Sequence, residues 1–271
     1  MWRKILTVVA VICLLAGIGF LLFTPVSTYV GQKQADAVIE DFEKTKENIT
    51  ETITTEDGEV ISSFEEAKEK GIVDEEGEPD SSVSYYYTSW TVFSSDLDRL
   101  KEDSLAYNEK LLNGQGTDDT TDFLKPALYL PDYGIKSEIY GYITIDAINL
   151  RQPIYLGASK GNMKFGAAHL YGTSLPVGDM DATVALAGHT DYTGKIFFDH
   201  IRDLQIGDTI KISTYWDDLE YRVIGSKTVT ADQSEDLVIQ EGRELLTLIT
   251  CVPDVEREFR ERYLVLCEKA G

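Results

Sequence analysis

Cysteine, histidine and positive charge are all scarce in this chain. Three cysteines in 271 residues do not make a disulfide framework. Three histidines, His169, His189 and His200, leave a short list for any imidazole chemistry. Lys and Arg total 25 against 47 Asp and Glu, a formal net charge of −22. That excess argues against nucleic acid and anionic lipid headgroups as partners, because both would be repelled. A second long apolar run is also missing.

The first such run, Ile5 to Phe23, is nearly all apolar and holds Cys13. At 1.5 Å per helical residue it spans about 28 Å, the thickness of a bilayer core. Arg3 and Lys4 precede it, so the positive-inside rule places the N-terminus in the cytoplasm and the chain after about Thr24 outside. A cleavable signal peptide has a shorter apolar core ending at a small-x-small site. Phe20 to Val30 offers no clean site of that kind, so an uncleaved single-pass anchor is expected.

Beyond the anchor, helical spacing marks Ala35 to Lys46, through Ala35, Val38, Ile39 and Phe42, and Ser95 to Leu112, through Leu97, Leu100, Leu105, Leu111 and Leu112. Between them Glu47 to Thr91 is dense in Asp, Glu, Ser and Thr, a composition that buries little apolar surface and predicts a mobile acidic loop. Its aromatic end, Tyr85 to Phe93 with Trp90, is the exception and has the means to pack on a core. Leu130-Pro131-Asp132-Tyr133-Gly134 is an ordinary turn composition. From Tyr140 the chain is mostly β, with strand candidates at 140–145, 153–156, 167–171, 183–187, 209–215, 220–230, 244–250 and 262–267. Only Lys195 to Leu204 reads as an intervening helix, and the pattern predicts a closed barrel or sandwich.

Chemistry concentrates at the end of one strand. Thr247-Leu248-Ile249-Thr250 is apolar and β-prone and ends in Cys251; eleven residues later Arg262 heads the next strand, so thiol and guanidinium are expected side by side. A nearby cation lowers a thiol pKa from its free value of about 8.5, and the same cation stabilises the oxyanion formed when a carbonyl is attacked. Arg260 shares the face of Arg262 and remains an alternative, whereas Arg257 has the wrong parity. His189, where the strand Val184 to Ala187 opens into a loop, is the best placed imidazole. His169 and His200 are expected to be structural. Cys267 lies five positions from Arg262, hence on the opposite strand face, and reads as a buried core thiol.

With these pieces in place the chain resembles the sortases, membrane-anchored cysteine transpeptidases of Gram-positive bacteria. The resemblance rests on Thr247 to Cys251, Ala187-Gly188-His189, Arg262 before an apolar strand, and Gly172-Thr173-Ser174-Leu175-Pro176-Val177-Gly178. The last is most like class C, the pilin-polymerising subgroup. The likeness covers about 140–268, and more weakly 25–46 and 95–114. It implies a mainly β fold, an eight-stranded sortase barrel with short helices, preceded by a transmembrane helix and a helical, acidic region. The implied organisation is a cytoplasmic tip and anchor over 1–24, an extracellular helical region with the acidic insert and a lid over 25–139, and the catalytic barrel over 140–271.

The resemblance makes Cys251 the nucleophile, His189 the acid and base, and Arg262 the stabilising cation, with no cofactor or metal. It also places a lid between Asn113 and Lys136, where Asp122-Phe123 is the nearest counterpart of the family's Asp-Pro-aromatic motif, without the Pro. Leu130 to Gly134 has the outline of the family's Leu-Pro-x-Thr-Gly signal, with Tyr for Thr. The implied partners are surface or pilin proteins with a C-terminal sorting signal, and the membrane through residues 5–23. The implied reaction cleaves that signal through a thioacyl enzyme and joins it to a pilin Lys. Alternatives are a sortase that anchors proteins to peptidoglycan, and a non-enzymatic anchored β-barrel that binds a ligand. The chain ends at Gly271 without the C-terminal membrane helix of some class C relatives.

Overall fold

The apolar N-terminal run and the amphipathic stretch after it form one helix. In the computed structural model, which describes residues 2–74, 78–79, 87–88, 91–114, 123–190, 197–230, 233, 235–252 and 261–270, α1 runs from Trp2 to Glu47. The sequence suggested two separate segments, an apolar run from Ile5 to Phe23 and a helical spacing from Ala35 to Lys46. Pro25, between them, sits inside the helix, where its missing N–H costs one backbone hydrogen bond. The apolar first half is long enough to cross a membrane. In the second half Ala35, Ile39 and Phe42 are buried, and Gln32 donates to the Arg151 carbonyl at 3.2 Å.

After α1 come the two-residue strands β1 (Ile49–Thr50), β2 (Ile53–Thr54) and β3 (Val60–Ile61), helix α2 (Phe64–Glu69), β4 (Val92–Phe93) and helix α3 (Ser94–Leu112). Where composition predicted a mobile loop packed only at its aromatic end, the described part of the insert is folded over a longer stretch. Ile61, Phe64, Ala67, Tyr87 and Phe93 are buried together in a cluster of their own. Ser63 caps α2 by accepting from the Glu66 N–H, which satisfies one of the helix's orphan donors. The buried carboxylate of Asp96 accepts from the Phe64 N–H at 2.7 Å, fastening the small unit to α3. Tyr87 and Phe93 are the aromatics of this stretch that pack inward among the described residues; Tyr85, Tyr86 and Trp90 lie outside them.

Eight further strands follow: β5 (Ile139–Ile145), β6 (Leu150–Leu156), β7 (Ala167–His169), β8 (Ala182–Ala187), β9 (Thr209–Thr214), β10 (Asp218–Thr230), β11 (Glu244–Cys251) and β12 (Glu261–Lys269). They close into a barrel in the order β10-β12-β11-β8-β7-β6-β5-β9. Most pairs are antiparallel, with parallel contacts at β6–β7 and β8–β11. Alternation along the strands separates two apolar layers. Val184, Leu186, Leu246, Leu248, Val265 and Cys267 fill the interior. Ala185, Ala187, Ile249 and Leu264, one step out of phase, form a second layer on the outer face.

The stretch Lys195 to Leu204 is not the α-helix its sequence suggested. Its described part is a pair of turns and one 3-10 turn, Ile201–Asp203, with Phe197, Phe198 and Ile201 buried. Leu130 to Tyr133 is likewise a 3-10 turn, ended by Gly134 in the left-handed region, and both Leu130 and Tyr133 are buried. These contacts make it part of the core.

The turn from Gly172 to Gly178 is where α3 docks. The Gly172 N–H donates to the Tyr107 hydroxyl at 2.8 Å. Asn108 both donates to the Leu175 carbonyl, at 3.0 Å, and accepts from its N–H, at 2.7 Å. His169, fully buried at the end of β7, holds the turn from inside. Its Nε2 lies 3.1 Å from the Thr173 carbonyl and 3.0 Å from that of Ser174, so this nitrogen carries the hydrogen.

Candidate active site

Strand register brings Cys251 and Arg262 together. They are cross-strand partners at the last paired position of β11 and β12. The next pair is bonded through the backbone, Val252 N–H to Glu261 carbonyl at 3.1 Å. Bonded and non-bonded pairs alternate in an antiparallel ladder, so Cys251 and Arg262 form a non-hydrogen-bonded pair, the kind with the closer side chains. Both continue the outer face set by Ile249 and Leu264.

His189 reaches the same place by way of β8, which lies parallel to β11 as far as Ala187 opposite Ile249. The Gly188 N–H then donates to the Ile249 carbonyl at 3.0 Å, and the Thr250 hydroxyl donates to the Gly188 carbonyl at 2.8 Å. The residue before His189 is therefore tied on both sides to the two residues before Cys251. Position 188 must be Gly, since a Cβ there would lie 2.5 Å from the Phe198 ring. That ring stays in place because the Phe198 N–H donates to the His189 carbonyl at 2.9 Å.

Cys251, His189 and Arg262 line one cavity of about 300 Å³. Its walls are mainly apolar, including Ala158, Leu170, Val229, Leu237, Ile249 and Leu264. Partial burial lowers the His189 pKa below its ordinary value, because a desolvated imidazolium is disfavoured. A thiol, an imidazole and a guanidinium facing one apolar cavity supply a nucleophile, a proton carrier and a fixed positive charge, the set needed for acyl transfer. Among the described residues no group of three or more His, Cys, Asp or Glu is arranged to hold a metal.

Phe123 is also among the residues that line the cavity. The Phe123 carbonyl accepts from the Ala158 N–H at 2.8 Å. Behind it Gly157, at φ +83, lets the chain pass so close that a Cβ would stand 2.6 Å from the Lys125 carbonyl carbon. Asp122, the other half of the expected lid motif, lies outside the described residues, as do Arg257 and Arg260.

The remaining candidates are elsewhere. His169 is buried beneath the 172–178 turn, and burial pushes its pKa down to about 4. His200 is exposed and pairs with Asp203 at 3.1 Å. Cys267 faces the barrel interior, where burial raises its pKa. One residue carried no sequence signal: Arg202, in the stretch read as a helix, donates from Nη2 to the Cys251 carbonyl at 3.0 Å.

Known proteins are similar to this chain in sequence and in fold. The family model described as Sortase domain matches residues 143–270. Sortase D of Bacillus subtilis (strain 168) is 29% identical over 155 residues, covering 57% of this chain and 73% of that protein. Sortase A of Bacillus anthracis is 31% identical over 136 residues, covering 50% and 62%. Among solved structures, the complex of Streptococcus agalactiae sortase C1 and MTSET superposes with a TM-score of 0.58 at 30% identity, covering 66% of this chain and 92% of that one. Clostridium perfringens sortase C with the C-terminal cell wall sorting motif gives 0.55 at 33%, covering 66% and 91%.

The barrel and these matches define a cysteine transpeptidase, and the chain belongs to the sortase family. Within the family its structural neighbours are class C sortases.

Proposed function

We propose that this chain is a membrane-anchored, pilin-polymerising sortase in which Cys251, His189 and Arg262 carry out the transfer. The observation that carries the assignment is the cross-strand pairing of Cys251 with Arg262 beside His189 in one apolar cavity. Transfer of a proton from the Cys251 thiol to His189 gives a thiolate and an imidazolium. The thiolate attacks the Thr carbonyl carbon of a Leu-Pro-x-Thr-Gly-like signal, and the guanidinium of Arg262 stabilises the oxyanion. As the C–N bond breaks, His189 returns its proton to the departing Gly amine and a thioester remains on Cys251. A Lys amine of a second pilin then attacks the thioester, losing its proton to His189. An isopeptide bond forms and the thiolate is regenerated.

The apolar cavity walls suit the Leu-Pro part of such a signal. The likeness to the sortase C structures supports a pilin Lys as acceptor. So does the 172–178 turn, which docks α3 on the barrel. In this reading residues 1–24 are the cytoplasmic tip and anchor, 25–139 an extracellular region ending in a lid at Phe123, and 140–271 the catalytic barrel, all outside the cell after the anchor. Phe123 shields the thiol until a signal displaces it.

Deletion of the gene in its host, followed by gel analysis of wall extracts, tests the acceptor. Loss of a high-molecular-weight ladder is expected. An intact ladder with one surface protein released to the medium would move the assignment to anchoring on peptidoglycan.

A further inference from the structure

The transfer chemistry engages the side chain of Cys251, and its main chain has a partner of its own. Among the described residues the Cys251 carbonyl has no strand partner. Towards β12 the pair is of the non-hydrogen-bonded kind, so the carbonyl points away from that strand. Towards β8 the register ends at Ile249 opposite Ala187, two residues short of Cys251. The last carbonyl of the strand that presents the thiol is thus left open on both sides by the ladder.

We infer that Arg202 is a positioning residue of the active site, which holds the nucleophile in place by clamping the Cys251 main chain. This rests on the assignment of Cys251 as nucleophile. The Nη2 of Arg202 donates to the Cys251 carbonyl at 3.0 Å, in the place a further strand residue would occupy. Hydrogen bonds with an ionised donor are roughly twice as strong as neutral ones. The guanidinium carbon lies 5.6 Å from the Tyr263 ring centroid, and the Tyr263 hydroxyl donates to Ser226 Oγ at 2.9 Å. The preceding residue, Ile201, is fully buried in the barrel core, which fixes the backbone from which Arg202 extends.

Two arginines therefore bracket Cys251. Arg262 lies beside the side chain on the outer face, and Arg202 holds the carbonyl from the 3-10 turn Ile201–Asp203. Because Cβ is fixed to the main chain and Sγ is a single χ1 rotation beyond it, a loosened carbonyl moves the sulfur relative to His189. Misplacement of a reacting atom by about 1 Å costs on the order of a hundredfold in rate.

The test uses the full chain in detergent and a fluorogenic Leu-Pro-x-Thr-Gly peptide. Arg202→Met keeps an apolar stem like that of Arg but removes every donor, and is expected to lower kcat roughly tenfold or more with KM within about twofold, at an unchanged unfolding midpoint. Arg202→Lys retains a charged donor and should recover most of the lost kcat. Should Arg202→Met fail to fold, Arg202→Gln, a polar replacement too short to reach the carbonyl, takes its place. A kcat within about twofold of the parent overturns the inference, as does a rise in KM alone or equal loss in the Lys and Met variants. A loss that follows the folded fraction also overturns it, since that marks a purely structural side chain. Cys251→Ala is run alongside. Residual cleavage there defeats the nucleophile assignment, whereas an inert Cys251→Ala with a normal Arg202→Met defeats only this inference.

Discussion

Cys251 and Arg262 face each other as a non-hydrogen-bonded pair at the open end of the β11–β12 ladder. Strand register fixes the backbone of Arg262 beside the thiol, which keeps its cation near the place where charge develops on an attacked carbonyl. Arg262→Ala is therefore expected to lower kcat for peptide cleavage by about 10²–10³, the usual loss of a preorganised oxyanion donor. His189→Ala should be as damaging as loss of the thiol, because groups acting in one step are not additive. Steady-state kinetics of both variants and of Arg260→Ala check this. A larger loss at Arg260 would show that the wrong arginine has been assigned.

The two cysteines of the barrel are expected to separate cleanly. Cys251 opens to the cavity, whereas Cys267 is 1% exposed and its pKa is raised by burial. In a Cys13→Ala background, intact-mass analysis after brief treatment with a thiol reagent should find one label, lost in Cys251→Ala. Cys267→Ser buries a hydroxyl in an apolar layer and should cost about 1–3 kcal/mol of stability. It should leave kcat per folded molecule nearly unchanged.

His169 predicts a pH-dependent loss of stability. Its folded pKa, about 4, lies below the unfolded value of 6.5, so between these values the unfolded chain binds the proton and the native chain does not. The stabilisation is complete above pH 6.5 and is lost as pH falls through about 4, an amount on the order of 3 kcal/mol. Carboxylates titrate in the same range but are shared by parent and variant. Denaturant unfolding should therefore show the advantage of the parent over His169→Gln shrinking from pH 7 to pH 4. A constant difference would remove His169 from the account.

The acidic insert should be stable yet separable from the chemistry. Phe64 is buried in the insert's own cluster, far along the chain from the cavity residues. Phe64→Ala should loosen this unit by about 3–5 kcal/mol. Hydrogen exchange is expected to rise in residues 49–74 while kcat and KM for the peptide stay at parental values. A matching loss of activity would tie the insert to the site.

The barrel was legible in the sequence because its strands are rich in β-branched and aromatic residues and are separated by turn signals. All eight strands lie where the pattern put them, and Cys251 ends β11 as expected from Thr247 to Thr250. The opposite faces of Arg262 and Cys267 followed from parity alone. Features that depend on tertiary contacts were not legible. The apolar run and the amphipathic stretch read as separate segments, yet they form one 46-residue helix that tolerates Pro25 and one lost hydrogen bond. In the insert a few apolar residues among many charges converge into a core that average composition hides. Arg202 sits on a turn whose geometry is set by Phe198 and Ile201 packing into the barrel, and no local pattern announces its partner.

One small pairing bears on how such a protein changes over generations. β1 and β4 lie parallel, Ile49 against Val92 and Thr50 against Phe93, so the chain returns about 4.8 Å from where it departed. Everything between the two strands is an excursion whose entrance and exit coincide. Its length and sequence can drift, or one such cassette be exchanged for another, without altering the spacing of α1 and α3 on the barrel. Natural selection can thus reshape the outer contour of the enzyme while the catalytic cavity stays as it was.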